Sequence, residues 1–247
     1  MKKNIYIIGG LGLIGFELVK QLISKDNNII VIDKFKKIKK QKYVKYINLD
    51  ITKIQTLQVK LKKLFVTYGK PHSMVNCSYP KTSNWKNNDF KRINYSNYSK
   101  NISLHLNTYI WITKIFSDEM IKNKFKYPSI VLLSSIYGFL GQNLNIYKNE
   151  KIRENLTYSV IKGGIINAVR SFSSYYGNKG LRINCVSPGG VLDNQSKSFL
   201  KKYNREVPMN RMAFKHEVAN VIKFLISEKS SYITGQNIIV DGGYSII

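Results

Sequence analysis

The sequence predicts an α/β fold, a single doubly wound parallel sheet with helices on both faces. Three observations lead to this prediction. Short apolar runs alternate with segments of helical periodicity, a glycine-rich turn follows the first run, and no linker or composition break divides the 247 residues. Repeated strand–helix–strand units place a parallel sheet between two helical layers. We therefore expect one domain over 1–247.

Each element follows from local pattern. Short apolar runs bounded by turn residues predict seven strands, over 4–8, 29–33, 44–49, 74–77, 129–134, 182–187 and 237–241. Apolar residues at helical spacing predict helices over 13–25, 52–68, 97–124, 158–176 and 217–228. Thr52 is expected to cap the second of these helices.

The chain is strongly basic, with 40 Lys and Arg against 14 Asp and Glu and a formal net charge of +26. Clustered cations would indicate a nucleic-acid or membrane partner. Here the lysines are scattered along the chain, which favours solvated faces. We therefore expect no nucleic-acid partner, although a positive field would attract a phosphorylated or nucleotide-linked substrate.

Cysteine usage and hydropathy favour a cytoplasmic protein. Cys77 and Cys185 are far apart, each within an apolar run, so buried reduced thiols are expected. No run approaches the roughly 18 continuous apolar residues that a membrane span needs. The apolar start also lacks a small-residue cleavage site.

The first strand leads into a turn that predicts a Rossmann-like dinucleotide site. Gly9, Gly12 and Gly15 would let backbone N–H groups and a helix N-terminus approach a pyrophosphate. Asp33 closes the second strand, where a carboxylate suits a ribose 2′-hydroxyl and repels a 2′-phosphate. NAD(H) is therefore the preferred cofactor. Lys34 follows directly, so NADP(H) is not excluded.

A second pattern indicates proton transfer. Tyr158 and Lys162 are one helical turn apart, so their side chains share a face. An ammonium beside a phenol favours the phenolate and lowers its pKa from about 10. Such a tyrosine can exchange a proton with a substrate oxygen. A predicted strand runs into Ser134 and Ser135, at the sheet edge where open α/β folds bind ligands.

In their order and spacing, the glycine turn, LLSSIYG, YSVIK, INCVSPGG and ITGQNIIVDGG resemble the short-chain dehydrogenase/reductase family over essentially the whole chain. The resemblance implies that Ser135 holds the substrate oxygen and that Tyr158 is the general acid/base. It implies that Lys162 lowers the pKa of Tyr158 and binds the nicotinamide ribose. Ser135 fits better than Ser134 because the family's serine stands three residues before a glycine, here Gly138.

The same resemblance implies the cofactor contacts and no metal role. The expected cofactor-binding residues are Gly9, Gly12, Leu13, Ile14, Gly15, Asp33, Asp50, Ile51, Asn76, Tyr158, Lys162, Pro188, Gly189 and Val191.

The sequence departs from the family pattern at several places. Leu13 stands where the compact branch usually has glycine, so the turn is closer to the extended branch. VNCSYP replaces Asn-Asn-Ala-Gly, which leaves Cys77 and Ser78 without an assigned role. His105 stands where an active-site asparagine is usual, either as a proton relay or water holder or as a satisfied, partly buried histidine. Asn107 is the alternative if the register slips by two.

The segment between Ser135 and Tyr158 is longer than usual, with 142–156 inserted as a polar, substrate-selecting loop. With SIYG, the SLHL helix and SPGGVLDNQ, it looks most similar to bacterial oxidoreductases of flagellin-glycan and legionaminic-acid biosynthesis. That resemblance implies a sugar substrate, phosphorylated or nucleotide-linked.

The sequence thus predicts an NAD(H)-dependent oxidoreductase acting on a secondary alcohol or ketone of a sugar. A 3-ketoacyl-thioester reductase is the alternative among enzymes. A non-catalytic dinucleotide sensor is the alternative of another class, and the presence of both Tyr158 and Lys162 argues against it. By resemblance we expect a homotetramer or dimer.

Overall fold

A computed structural model describes residues 2–35, 38, 41–123 and 125–247. Within these residues, seven strands form one sheet in the order β3-β2-β1-β4-β5-β6-β7, and every pairing is parallel. The strands are β1 (Lys3–Ile8), β2 (Asn27–Asp33), β3 (Val44–Asn48), β4 (Ser73–Asn76), β5 (Ser129–Leu133), β6 (Arg182–Pro188) and β7 (Asn237–Val240). The predicted fold class and all predicted strands are confirmed.

The order of the strands places the ligand crevice. Ile7 of β1 pairs with Val31 of β2 on one side and with Val75 of β4 on the other. The chain winds outward through β2 and β3 and then crosses back to β4, so the winding direction reverses between β1 and β4. Loops that leave the carboxyl ends of these two strands diverge and leave a crevice.

The helices are α1 (Leu13–Leu22), α2 (Ile54–Tyr68), α3 (Tyr95–Asn101), α4 (Thr108–Met120), α5 (Leu144–Tyr147), α6 (Leu156–Tyr176), α7 (Lys197–Arg205) and α8 (Lys215–Leu225). A π-helical segment, Ile102–Asn107, joins α3 to α4, so the helix predicted over 97–124 is divided. Position 124 lies outside the described residues. No helix in the described part of the chain is long and apolar enough to cross a membrane.

The prediction that Thr52 caps α2 is wrong. The N-cap of α2 is Lys53, which makes no side-chain cap. The hydroxyl of Thr52 instead donates to the Asp50 carboxylate at 2.7 Å. The acid that ends the preceding segment therefore competes for the hydroxyl that would have capped the helix.

The sheet is covered on both faces. Tyr6 and Ile30 pack with α2, α4 and α6, whereas Ile7 and Val31 pack with α1 and α8. Successive strand residues point to opposite faces, so each strand contributes to both cores. This explains why the central strands are apolar without alternation.

A third, smaller core lies beside the carboxyl edge of the sheet. It joins α5 to α7 through Ile146, Tyr147, Phe199 and Tyr203, all of them buried. Neither helix was predicted, because α5 has only four residues and α7 presents only two apolar anchors in a basic sequence. This core brings the segment 142–156 close to the crevice.

Candidate active site

Two glycines fix the turn between β1 and α1. Gly9 has a φ of +74°, and a Cβ there would lie 2.5 Å from the Cα of Ser78. A Cβ on Gly15 would lie 2.4 Å from the carbonyl oxygen of Gly9. A side chain at either position would push backbone segments apart. A Cβ on Gly12 would meet only the Gly9 oxygen, at 3.4 Å, so the turn itself does not require glycine there.

The N-terminus of α1 faces a cavity of about 550 Å³ at the carboxyl edge of the sheet. Gly12 is the N-cap of α1 and provides no side-chain cap. The N–H groups of a first helical turn have no helical acceptor and carry positive partial charge, which suits a pyrophosphate. The predicted residues Gly9, Gly12, Asp33, Asp50 and Ile51 all line this cavity.

Asp33 is held at the wall of this cavity by backbone donors. Its Oδ2 accepts from the N–H of Leu11 at 2.9 Å, and its Oδ1 accepts from the N–H of Lys34 at 2.7 Å. Each carboxylate oxygen can still accept from a ribose hydroxyl. The Lys34 ammonium lies 3.2 Å from Asp50, so it is paired away from Asp33. The residues therefore fit NAD(H), and NADP(H) is not excluded.

A second cavity, of about 330 Å³, continues from the glycine turn to the end of β5. It brings together the predicted catalytic and nicotinamide-side residues. Its walls include Gly12, Leu13, Ile14, Ser135, Tyr158, Lys162, Pro188, Gly189 and Val191. Of the other predicted cofactor residues, Gly15 lies beneath the turn and Asn76 is fully buried at the end of β4.

Asn76 orders the loop that follows β4. Its Oδ1 accepts from the backbone N–H of Ser78 at 3.1 Å and from the Ser78 hydroxyl at 2.6 Å. Its Nδ2 is buried and has no hydrogen-bond partner among the described residues. A buried amide donor without a partner is unusual, and Asn76 directly precedes Cys77 and Ser78, which line both cavities.

The catalytic candidates are positioned by the end of β5 and the start of α6. Ser135 is the N-cap of the short turn after β5. Asn155 caps α6, because its Oδ1 accepts from the backbone N–H of Tyr158 at 2.9 Å. The Ser134 hydroxyl donates to the carbonyl oxygen of Lys162 at 2.9 Å, which ties the strand end to the helix.

Burial dominates the ionisation of Tyr158 and Lys162. The Lys162 ammonium lies 5.5 Å from the centre of the Tyr158 ring and donates to the carbonyl oxygen of Leu133 at 2.8 Å. Burial lowers the pKa of Lys162 to about 7. Burial also raises the pKa of Tyr158, and a hydrogen bond from Ser135 opposes this rise.

This balance differs from the sequence-based expectation that Lys162 lowers the pKa of Tyr158. A lysine with a pKa of about 7 is only partly charged at neutral pH, so its field at the phenol is weak. In the structure, burial raises the pKa of Tyr158 overall, and Ser135 is the neighbour whose hydrogen bond opposes this rise.

His105 lies on the π-helical segment and is fully buried. Neither ring nitrogen has a hydrogen-bond partner within the described residues, and the ring centre lies 5.2 Å from those of Tyr79 and Tyr109. Burial, with the nearby Lys162 charge, holds the pKa of His105 well below its ordinary value. Asn107, the alternative candidate, is exposed. Of the two candidates, His105 is the one in contact with Tyr79, a residue that lines the second cavity.

Tyr79 is a site residue that the sequence reasoning missed. It lines both cavities described above and a third one. Its ring centre lies 5.9 Å from that of Tyr158 and 5.5 Å from that of Trp85. The signal was present in VNCSYP, where this tyrosine takes the place of the last glycine of the family pattern.

The third cavity, of about 440 Å³, is called the substrate-side cavity below. It adjoins the second cavity, because Tyr79 and Tyr158 line both. Its other walls combine aromatic, polar and charged side chains with one aliphatic residue, Ile152. They comprise Trp85, Lys86, Arg92, Tyr137, Gln142, Tyr147, Lys151, Ile152, Arg153, Glu154 and Asn155.

The segment 142–156 supplies one wall of the substrate-side cavity, and its middle is clamped to α7. Glu150 accepts from the hydroxyls of Ser196 and Ser198 at 2.9 and 2.6 Å, and its carboxylate lies 2.7 Å from the Lys202 ammonium. Hydrogen bonds, first of all from Lys202, lower the pKa of Glu150 to about 2. The segment 142–156 was predicted as a polar loop. In the structure it also contains the short helix α5 and an acid, Glu150, that is held in place by α7.

Comparison with known proteins gives a consistent result. A family model described as enoyl-(acyl carrier protein) reductase matches residues 14–245. A post-translational flagellin modification protein A from Campylobacter coli is 29% identical over 99% of this chain and 98% of its own length. A 3-oxoacyl-(acyl-carrier-protein) reductase from Buchnera aphidicola is 36% identical over 58% of this chain and 55% of its own length.

A solved structure agrees in fold. The crystal structure of a short chain dehydrogenase from Leptospira borgpetersenii with bound NAD+ has a TM-score of 0.88 at 27% identity, covering 99% of this chain and 93% of that one. The two proteins therefore share one fold over almost their whole length. The chain is an oxidoreductase that belongs to the short-chain dehydrogenase/reductase family.

Proposed function

We propose that this enzyme transfers a hydride between NAD(H) and a secondary alcohol or ketone of a sugar, phosphorylated or nucleotide-linked, in surface-glycan biosynthesis. The observation that carries the reaction type is the meeting of Ser135, Tyr158 and Lys162 in one cavity that continues from the glycine turn. This arrangement sets a proton donor and acceptor beside a dinucleotide site, as hydride transfer to a carbonyl requires.

The residues proposed to hold the cofactor lie along the first two cavities. Gly12 and the N-terminus of α1 would bind the pyrophosphate, and Asp33 would accept from the adenosine ribose. Asp50 and Ile51 would flank the adenine, and Asn76, Pro188, Gly189 and Val191 would lie towards the nicotinamide end. When bound, NAD(H) accepts or supplies the hydride.

Tyr158 is proposed as the general acid and base. In ketone reduction its hydroxyl proton passes to the substrate oxygen as that oxygen gains negative charge, and in alcohol oxidation the proton returns. Ser135 would donate its one hydroxyl proton to the substrate oxygen when substrate is bound. Without substrate, its hydrogen bond to Tyr158 opposes the rise in the pKa of Tyr158 that burial causes. Protonated Lys162 favours the phenolate and would bind the nicotinamide ribose.

We propose that His105 holds a water on the proton path from Lys162. Its two ring nitrogens are buried and have no hydrogen-bond partner among the described residues, and buried polar atoms of this kind commonly bind ordered water. Replacement of His105 by Asn should keep more activity than replacement by Leu. Equal activity of the two variants would refute the role.

Two observations support a sugar. The substrate-side cavity has an aromatic wall of Tyr79 and Trp85, which suits the apolar face of a sugar ring, and polar groups of Gln142 and Asn155. The Campylobacter coli relative, matched along almost its whole length, is described as a flagellin modification protein.

A second candidate is reduction of a 3-ketoacyl thioester. The matching family model and the Buchnera aphidicola relative are both described as acyl-carrier-protein reductases. That relative is matched over only 58% of this chain, whereas the flagellin modification protein is matched over 99% of it. We therefore place it second. A non-catalytic dinucleotide sensor would not need Ser135, Tyr158 and Lys162 in one cavity, so their meeting there argues against this alternative.

The deciding experiment is a substrate panel assayed by NADH absorbance. The proposal expects turnover with one or more sugar phosphates or nucleotide sugars, and little with acetoacetyl-CoA. Fast turnover with acetoacetyl-CoA alone would replace the sugar assignment by the thioester one.

We further propose that the enzyme is a cytoplasmic homotetramer or dimer. Exposed apolar residues on α4 and α6, Trp111 and Val160, support self-association through these helices. Light scattering after size-exclusion chromatography tests the assembly, and a monomeric mass at micromolar concentration would refute it.

A further inference from the structure

Four cationic side chains surround the substrate-side cavity. Lys86 and Arg92 come from the loop and turn after β4, and Lys151 and Arg153 come from the segment 142–156. The two groups are far apart in sequence, so the fold brings them to one rim. All four are exposed and can meet a solvent-borne ligand.

One of the four cations is held in place. The Nε of Arg92 donates to the Asp89 carboxylate at 2.6 Å, and one Nη donates to the carbonyl oxygen of Lys86 at 2.9 Å. The Asp89 side chain is itself buried, so it fixes the guanidinium rather than competing in solvent. The other Nη of Arg92 keeps its N–H groups for a ligand.

The rim has an excess of positive charge. Among the described residues that line the substrate-side cavity, Glu154 is the one acid. Within the described part of the chain, the ion pairs include Arg92 with Asp89 but none of Lys86, Lys151 or Arg153. Unpaired cations at the mouth of a concave site raise the local concentration of anions.

We propose that this rim is a phosphate-binding subsite for the substrate, formed by Lys86, Arg92, Lys151 and Arg153. Guanidinium and ammonium groups bind phosphate through charge-assisted hydrogen bonds. The inference rests on the proposed function, because the same cavity is bounded by Tyr158. A substrate that spans it would present a phosphate at the rim while its reacting oxygen lies at Tyr158.

The phosphate can come from two sources, a sugar phosphate or nucleotide sugar, or the phosphate groups of a coenzyme A thioester. The chemistry of the subsite is the same for both. The observations favour a sugar, because the wall between rim and Tyr158 is formed by Tyr79 and Trp85.

The first test measures binding without catalysis. The protein has two tryptophans, so Trp111→Phe leaves Trp85, in the wall of the cavity, as the sole reporter. Inorganic phosphate is titrated in the presence of saturating NAD+, which fills the dinucleotide cradle. The expected result is a change in Trp85 fluorescence, with a dissociation constant that rises about tenfold or more in Lys151→Gln/Arg153→Gln.

The matched control is Lys91→Gln/Lys148→Gln, which removes the same charge from exposed positions that do not line the cavity. The parent of both double variants is Trp111→Phe, and the control should bind phosphate with the same dissociation constant as this parent. Absence of phosphate binding by the parent, or an equal loss in control and test variants, would overturn the subsite.

The second test compares KM for a phosphorylated substrate and its unphosphorylated counterpart, and for acetoacetyl-CoA. We expect Lys151→Gln/Arg153→Gln to raise KM selectively for the phosphorylated sugar. A selective effect on acetoacetyl-CoA alone would keep the subsite and overturn the sugar assignment. If the enzyme turns over only unphosphorylated sugars, and Lys151→Gln/Arg153→Gln has the same KM for them, the subsite would be overturned. The proposed hydride transfer on a sugar would still stand.

Discussion

The carbonyl oxygen of Gly9 lies 2.4 Å from the place that a Cβ on Gly15 would occupy. The first residue of the turn therefore excludes any side chain from the third glycine. Gly12 has a backbone conformation open to other residues, with φ −74°, and a Cβ there would keep 3.4 Å to the same oxygen. Gly9 and Gly15 are thus required by the packing of the turn, whereas Gly12 lines the cavity at the N-terminus of α1.

Replacing Gly15 and Gly12 by Ala should separate these functions. Gly15→Ala should lower the free energy of unfolding by about 1–3 kcal/mol through overpacking. Gly12→Ala should change stability by less than about 1 kcal/mol and lower NAD+ affinity, because its methyl group enters the pyrophosphate cradle. Urea unfolding and calorimetric NAD+ titration measure the two effects. Normal NAD+ binding by Gly12→Ala would contradict the assignment.

Asp33→Asn should shift the cofactor preference. The amide oxygen can still accept from the backbone N–H of Leu11, so the loop is preserved. Loss of the carboxylate removes repulsion of a 2′-phosphate, so kcat/KM for NADPH relative to NADH should rise about tenfold. Asp26→Asn, an exposed acid at the start of β2, is the control. A wild type that already uses both cofactors equally would refute the NAD preference.

The buried Lys162 should leave a signature in the pH dependence of stability. Its folded pKa is lowered to about 7 by burial, against an ordinary value of 10.5. Between these values the unfolded chain binds more protons, so this group makes stability rise with pH, by up to about 1.4 kcal/mol per unit. Below about pH 7 Lys162 is protonated in both the folded and the unfolded state, so its full unfavourable contribution to stability is present.

The measurement compares wild type with Lys162→Met by urea unfolding from pH 6 to pH 10. The stability of the wild type relative to Lys162→Met should be lowest at pH 6 and should increase above pH 7. Parallel curves would mean that the ammonium has an ordinary pKa in the folded protein.

Glu150→Gln should loosen the wall of the substrate-side cavity. The carboxylate holds Lys202 and the hydroxyls of Ser196 and Ser198, so its neutral analogue weakens the clamp on α7. We expect KM for substrate to rise several-fold, NAD+ affinity to stay the same, and amide hydrogen exchange over 142–156 to accelerate. Glu228→Gln, on a distant surface turn, is the matched control. Unchanged exchange in this segment would exclude the clamp.

The fold was predictable because its signals are local. Runs such as 29–33 are apolar throughout, which a strand covered on both faces requires, and Gly9, Gly12 and Gly15 mark the turn directly. The catalytic candidates were found by spacing and resemblance, and the structure does place Ser135 beside Tyr158 and Lys162.

The substrate side was not predictable in the same way, because it depends on contacts between distant segments. Tyr79 joins the site only when the loop after β4 packs against α6, and the cationic rim combines Arg92 with Arg153. The balance of pKa values was also beyond the sequence. The burial that lowers the pKa of Lys162 is a property of the packed protein.

The most direct test of the account is the turnover of Tyr158→Phe with NADH and the best substrate from the sugar panel. The variant lacks only the phenolic oxygen, so NADH binding by calorimetry should match the wild type while kcat falls about 10²–10⁴-fold. A kcat close to that of the wild type, with NADH binding retained, would contradict the assignment of Tyr158 as the acid and base of the reaction.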